Sequence, residues 1–205
     1  MTEGPDAEIY DYNTDTWSAT SPMVQRRAVP AFSLTLLSDN RVLVAGTQGG
    51  TNCEIYDPST DTWAAVAPMH LTHPQHQAAL LSDGRVLVVD YATAFSEIHD
   101  PRTDQWSFAA RPLYTHAWMT IGRLADGRML VAGTECCATG RVAEIYDPDN
   151  DSWTLTPNMM VSRTGPKSVV LDEGSVLVTG GRSDQVCGPD GCDPVETATA
   201  ELFIP

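Results

Sequence analysis

Ala143-Glu144-Ile145-Tyr146-Asp147, then a polar turn, then Trp153, is one copy of a phrase that recurs along this chain. Earlier copies read Ala7-Glu8-Ile9-Tyr10-Asp11, Cys53-Glu54-Ile55-Tyr56-Asp57 and Ser96-Glu97-Ile98-His99-Asp100. Each leads to a tryptophan, and Trp17, Trp63, Trp106 and Trp153 are spaced by 46, 43 and 47 residues. A fifth phrase, Ala200-Glu201-Leu202-Phe203-Ile204, is not followed by one. Self-similarity at such a period marks a repeat architecture.

A second unit alternates with the first. It reads Leu37-Ser38-Asp39-Asn40-Arg41-Val42-Leu43-Val44, and Leu81-Ser82-Asp83-Gly84-Arg85-Val86-Leu87-Val88. It recurs as Leu124-Ala125-Asp126-Gly127-Arg128-Met129-Leu130-Val131 and Leu171-Asp172-Glu173-Gly174-Ser175-Val176-Leu177-Val178. Asp-Gly between apolar runs signals a hairpin, here with both turn residues at positive φ. The Val-Leu-Val runs are apolar on both faces, so they are strands buried on both sides.

Each repeat therefore holds four short strands: one before the Asp-Gly turn, then Arg-Val-Leu-Val, then Glu-Ile-Tyr-Asp, then the tryptophan strand. One four-stranded sheet per repeat is the pattern of an all-β propeller. Strands two and three as antiparallel neighbours would set Arg41 near Asp57, Arg85 near Asp100 and Arg128 near Asp147 as charge pairs. In the last repeat both slots change together, to Ser175 and Ile204.

The recurring Asp-Gly-Arg-Val-Leu-Val strand, the strand-three tyrosine and the strand-four tryptophan resemble the kelch-repeat family over nearly the whole chain. Arg163-Thr164-Gly165 is similar to the kelch segment entering strand one. The resemblance implies a kelch-type β-propeller of four-stranded antiparallel blades. Gly180-Gly181 keeps the glycine pair with which kelch strands two end, whereas Asp90-Tyr91 replaces it in the second full repeat. The expected organisation is a single domain over residues 1–205, with repeats at approximately 1–23, 24–69, 70–112, 113–160 and 161–205. Three complete repeats are flanked by two N-terminal and three C-terminal strands. The two ends could share a split blade, with Trp17 on its fourth strand. Alternatively the chain is an arc of a larger propeller, or two chains share one ring as a homodimer.

The net charge of −15, from 27 acidic and 12 basic residues, argues against nucleic acid and anionic membrane as partners. No apolar run approaches the roughly 20 residues that cross a bilayer. Met1-Thr2-Glu3-Gly4-Pro5-Asp6 lacks the features of a secretory signal. A native Met1 implies a cytoplasmic protein, and a trimmed fragment an extracytoplasmic one. Cys187 and Cys192 flank Gly-Pro-Asp-Gly, which makes a local hairpin disulfide plausible; Cys136 and Cys137 are adjacent, and Cys53 sits in a strand. The repeated Asp-x-x-x-Asp turns read as turn chemistry copied by duplication rather than as calcium sites.

Off-pattern residues point to a site, since repetition does not account for them. The connections from strand four to strand one, and from two to three, lie on one face. That face collects His73, His76, Asp90, Tyr91, Tyr114, His116 and Trp118, with Arg163 in a basic rim that includes Arg26, Arg27, Lys167 and Arg182. Their chemistry suits a protein or glycan ligand, and a kelch propeller is expected to act as a binding scaffold without a cofactor. The alternative is an enzyme: a metal-dependent oxidase resembling galactose oxidase, with copper or another transition metal on the His/Tyr cluster, or a sugar mutarotase-like acid–base catalyst.

Overall fold

The computed structural model describes residues 7–27, 32–47, 49–90, 93–116, 118–133, 141–183, 187–188, 191–192 and 195–205. Its elements are strands, with no helix among the described residues.

The Asp-Gly and Asp-Asn turns set up the first hairpin of each repeat. Leu37 accepts from the Asn40 amide and donates to the Arg41 carbonyl, at 3.1 and 2.8 Å. Only the second turn residue lies at positive φ: Asn40, Gly84, Gly127 and Gly174 have φ of 67°, 88°, 91° and 85°. The turn is thus a type I turn closed by a left-handed residue, not the doubly left-handed turn expected. The aspartate before it is a cap. Asp39 accepts from the Arg41 amide at 3.1 Å and from its guanidinium at 2.8 Å, and Asp83–Arg85 and Asp126–Arg128 repeat the pair. The expected partners, Asp57, Asp100 and Asp147, also cap their own turns, accepting from the amides of Ser59, Arg102 and Asp149. Hydrogen bonds within those turns lower their pKa values first, and the nearby charges of Arg41, Arg85 and Arg128 lower them further, as the expected pairing requires. The arginine prefers the nearer carboxylate because the turn brings it within two residues.

Three four-stranded antiparallel sheets follow. The N-terminal hairpin is β1 (Glu8–Asp11) and β2 (Thr16–Ala19). The first full sheet is β3 (Ser33–Leu36), β4 (Val42–Thr47), β5 (Gly50–Asp57) and β6 (Thr62–Val66). The second is β7 (Gln77–Leu80), β8 (Val86–Val89), β9 (Ser96–Asp100) and β10 (Gln105–Ala109). The third is β11 (Thr120–Arg123), β12 (Met129–Ala132), β13 (Ala143–Asp147) and β14 (Ser152–Leu155). The last joins β15 (Lys167–Val170), β16 (Val176–Thr179) and, after the small pairs β17 (Arg182–Ser183) with β20 (Val195–Glu196) and β18 (Cys187–Gly188) with β19 (Gly191–Cys192), the strand β21 (Ala200–Phe203). Cys187 stands opposite Cys192 in the backbone register. The side chains on which the expected disulfide depends lie outside the described residues, as do Cys136 and Cys137. Cys53 is a buried thiol, and burial raises its pKa.

First strands are neighbours in series, β3 with β7, β7 with β11 and β11 with β15. The cores lie between successive sheets. Leu43 and Ile55 pack with Val86, Val88 and Trp106 of the next sheet. Leu87 and Ile98 pack with Met129, Tyr146 and Trp153 in the same way. The second strands are buried on both faces, as their continuous apolar runs require.

The second aspartate of the Asp-rich turn in each full sheet fastens that sheet to the preceding element. Asp61, Asp104 and Asp151 accept from the backbone amides of Ser21, Ala67 and Ala110 at 3.0, 3.1 and 2.8 Å. The same carboxylates meet Tyr56, His99 and Tyr146 of strand three. His99 therefore keeps the bond of the tyrosine it replaces. The indoles of Trp106 and Trp153 donate to the Ala67 and Ala110 carbonyls, each at 2.8 Å.

The split blade expected from the two ends of the chain is not formed. Strand β2 pairs with β1, and the last sheet has β15, β16 and β21. Two contacts hold the N-terminal hairpin at the opposite end: Ser21 is bound to Asp61, and the amides of Val24 and Gln25 to Glu54.

Candidate functional site

A carboxylate, buried in the three full sheets and half-buried at Glu201, organises the connection entering each sheet. Glu54, Glu97, Glu144 and Glu201 come from the phrase that begins strand three. Glu97 accepts from the amides of His70 and Leu71 at 2.9 Å each. Glu144 accepts from Leu113 and Tyr114 at 2.8 Å each. Glu54 and Glu201 do the same with Val24 and Gln25, and with Met160 and Val161.

A basic side chain three residues after the first of these amides completes each pair. Arg27 meets Glu54 at 2.8 Å, His73 meets Glu97 at 2.8 Å, His116 meets Glu144 at 2.8 Å, and Arg163 meets Glu201 at 3.1 Å. The far end of three of them binds the glycine carbonyl that follows strand two: Arg27 on Gly46, His116 on Gly133 at 2.9 Å, Arg163 on Gly180 at 2.8 Å. Ionised groups withdrawn from water need this complement of partners, since either one alone in the interior is costly.

The second full sheet departs from this pattern. Asp90 replaces the glycine, and its Oδ2 lies 3.9 Å from Nδ1 of His73. Burial pushes the His73 pKa down, but Asp90 and Glu97 outweigh it and raise the pKa to about 9. The ring is therefore an imidazolium at neutral pH, standing where the flanking repeats place a guanidinium or a histidine. His76 is buried beside it. Its Nδ1 lies 2.6 Å from the His73 carbonyl and its Nε2 2.8 Å from Ser33 Oγ, which ties the start of β7 to β3. Burial lowers the His76 pKa. Thr93 donates to Asp90.

The structure thus divides the sequence-derived site residues. His73, His76, Asp90, His116 and Arg163 are buried and bonded within the scaffold. Tyr91 lies outside the described residues. Tyr114 is partly exposed and gives its amide to Glu144. Trp118 is 47% exposed. The four basic residues occupy one repeat slot, which alignment of the connections could have exposed; the alternation of arginine with histidine disguised it.

Nε2 of His73 and both ring nitrogens of His76 and His116 face Glu97, Glu144, Ser33 and backbone carbonyls, so these nitrogens are engaged within the protein. Nδ1 of His73 has Asp90 at 3.9 Å and no hydrogen-bond partner among the described residues. Among the described residues no group of three or more His, Cys, Asp or Glu side chains is placed to hold a metal.

Trp118 opens onto a different feature. Its backbone lies at φ 50°, an uncommon conformation for a bulky side chain that appears where surroundings impose it. The indole walls a cavity of about 640 Å³ with Thr164, Gly165, Gly180, Gly181, Arg182 and Thr197. Paired backbone bonds frame it: Thr164 and Arg182 exchange N–H···O bonds of 2.8 and 2.9 Å, and the Thr197 amide reaches the Gly181 carbonyl at 3.0 Å. Gly181 has φ of 86°, and a Cβ there would come within 2.9 Å of the Thr164 carbonyl oxygen. Gly181 is therefore required by close backbone approach, whereas Gly180 has open space around it. Arg182 belongs to the basic rim read from sequence. Thr197 gave no sequence signal, and Thr164 only as part of the kelch-like segment Arg163-Thr164-Gly165; the fold brings both to the cavity.

No protein-family model matches the chain, and no curated protein matches it.

Proposed function

We propose that this chain is a kelch-like β-propeller, its sheets acting as blades, and that it works as a binding scaffold for a carbohydrate at the Trp118–Arg182 cavity. The serial contact of first strands and the repeated aspartate fastening of successive sheets support the blade reading. The exposed indole on a backbone-stapled frame carries the functional one. An aromatic face offers a sugar ring an apolar platform, and the guanidinium of Arg182 at the rim supplies a directional partner beside it. A rigid frame holds these groups without a large ordering cost on binding. Burial of the histidines in ion pairs weighs against the oxidase and mutarotase-like alternatives.

The test is binding to a glycan array, with Trp118→Ala and Arg182→Ala as comparisons. Binding that falls about tenfold or more in Trp118→Ala at unchanged melting temperature supports the reading. Binding that persists in both variants places the ligand elsewhere. Capture of a folded protein but no glycan through Trp118 would make the ligand a protein surface.

A further inference from the structure

The tryptophan of each later full sheet fills a slot made by the sheet before it. Trp106 packs in the core with Leu43, Ala45 and Ile55, and Trp153 in the core with Leu87, Val89 and Ile98. Each ring is 7% exposed. The equivalent slot of the third sheet is built from Leu130, Ala132 and Ile145, with the Pro157 carbonyl where Ala67 and Ala110 accept an indole. It opens as a groove of about 830 Å³, bounded on its other side by Val178, Leu202 and Phe203. At the other end of the described chain, Trp17 is 66% exposed on β2.

We propose that this groove receives strand β2 of a second copy of the chain, with Trp17 seated in the tryptophan slot. The proposal rests on the blade reading above. Strand β2 carries the same Asp-Thr-Trp sequence as β6, at Asp15-Thr16-Trp17 and Asp61-Thr62-Trp63. Its present partner, β1, is a strand-three phrase, and β21 is another. Exchange replaces the Tyr10↔Trp17 register pair with Phe203↔Trp17, and Ile9↔Ser18 with Leu202↔Ser18. The ladder is retained, and both the ring and the groove leave water. Within one chain β2 pairs with β1, and the last sheet ends at β21 without a fourth strand among the described residues. The contact is head-to-tail, so two copies can close a ring only by making it twice. Such a ring holds about eight blades, within the range that propellers adopt.

The experiment is molar mass by light scattering on a sizing column, across a range of concentrations. The expected mass is twice 22.2 kDa. Trp17→Ala and Leu202→Asp change exposed residues at opposite ends, and each variant is expected to run as a single chain. Mixed together they should recover a two-chain species, because each supplies the half that the other lacks. A wild-type single chain at every concentration overturns the proposal, whether or not Trp17 fluorescence shows the ring buried. So does a two-chain species that survives Trp17→Ala. These residues are distinct from Trp118 and Arg182, so glycan binding by a single chain would leave the ligand reading standing while this one fails.

Discussion

Nε2 of His73 lies 2.8 Å from Oε1 of Glu97, and both side chains are fully buried. With Asp90 on its other nitrogen, this imidazole is held in its charged form, with a pKa raised from 6.5 to about 9. A raised pKa stabilises the fold fully below the unfolded value, and the contribution is lost as pH rises through the folded value. Stability conferred by His73 should therefore be complete near pH 6 and decline between about pH 7 and 9. Thermal unfolding from pH 6 to 10 should show a fall that His73→Gln flattens. An equal slope in the variant would assign the pH dependence to other groups.

The Glu144–His116 pair is expected to behave as a coupled buried unit. Glu144→Ala leaves two amides and the buried imidazole without their acceptor, at a cost of about 1–3 kcal/mol for each group left unsatisfied. The double variant His116→Ala/Glu144→Ala should cost less than the sum of the single changes, since it leaves neither side chain of the pair without its partner. Denaturant midpoints of the four proteins measure this. Strict additivity would mean that the pair is not coupled.

Asp15 and Asp151 share a turn position and a positive φ, of 54° and 46°, but not a role. Asp151 binds both Tyr146 and the Ala110 amide of the preceding sheet, whereas the described partner of Asp15 is Tyr10 in its own hairpin. Glycine relieves the left-handed backbone at either site. Asp15→Gly should be neutral or slightly stabilising, and Asp151→Gly destabilising by about 1–2 kcal/mol. Melting curves of the two variants should move apart, and a shared shift would show that the inter-sheet bond contributes nothing.

Millimolar calcium or a chelator should leave the melting temperature unchanged. Asp11, Asp57, Asp100 and Asp147 spend an oxygen on a turn amide, and their partners at the other end of the turn accept from a tyrosine or histidine. A calcium-dependent rise of several degrees would contradict this assignment.

The strands and their order were legible because their signals are local. A turn residue, a two-sided apolar run and a tryptophan each report on a few neighbouring positions, and repetition multiplied them. The glutamate–base pairs were not legible, since Glu97 and His73 are separated by 24 residues and meet only across a strand connection. Taken alone, the histidines looked like site residues. His73 and His116 share a slot with Arg27 and Arg163 and bond within the scaffold, and His76 bonds Ser33 and the His73 carbonyl. Asp90 was correctly singled out as a departure from the repeat, but its effect is to hold a charge inside the protein. Of the aromatic residues read as off-pattern, Trp118 is the one that lines the described cavity. Thr197 beside it has no periodic or compositional mark, and Thr164 was marked only as part of a kelch-like segment; the stapled backbone at Gly181 brings them together.

The central claim is that the buried histidine slot is scaffold while Trp118 marks the ligand surface. Parallel glycan-array binding and thermal unfolding of Trp118→Ala and His116→Gln test it most directly. The account predicts that Trp118→Ala loses binding at an unchanged melting temperature, and that His116→Gln melts earlier but binds normally while folded. Loss of binding by folded His116→Gln, with Trp118→Ala indistinguishable from the parent protein, would contradict it.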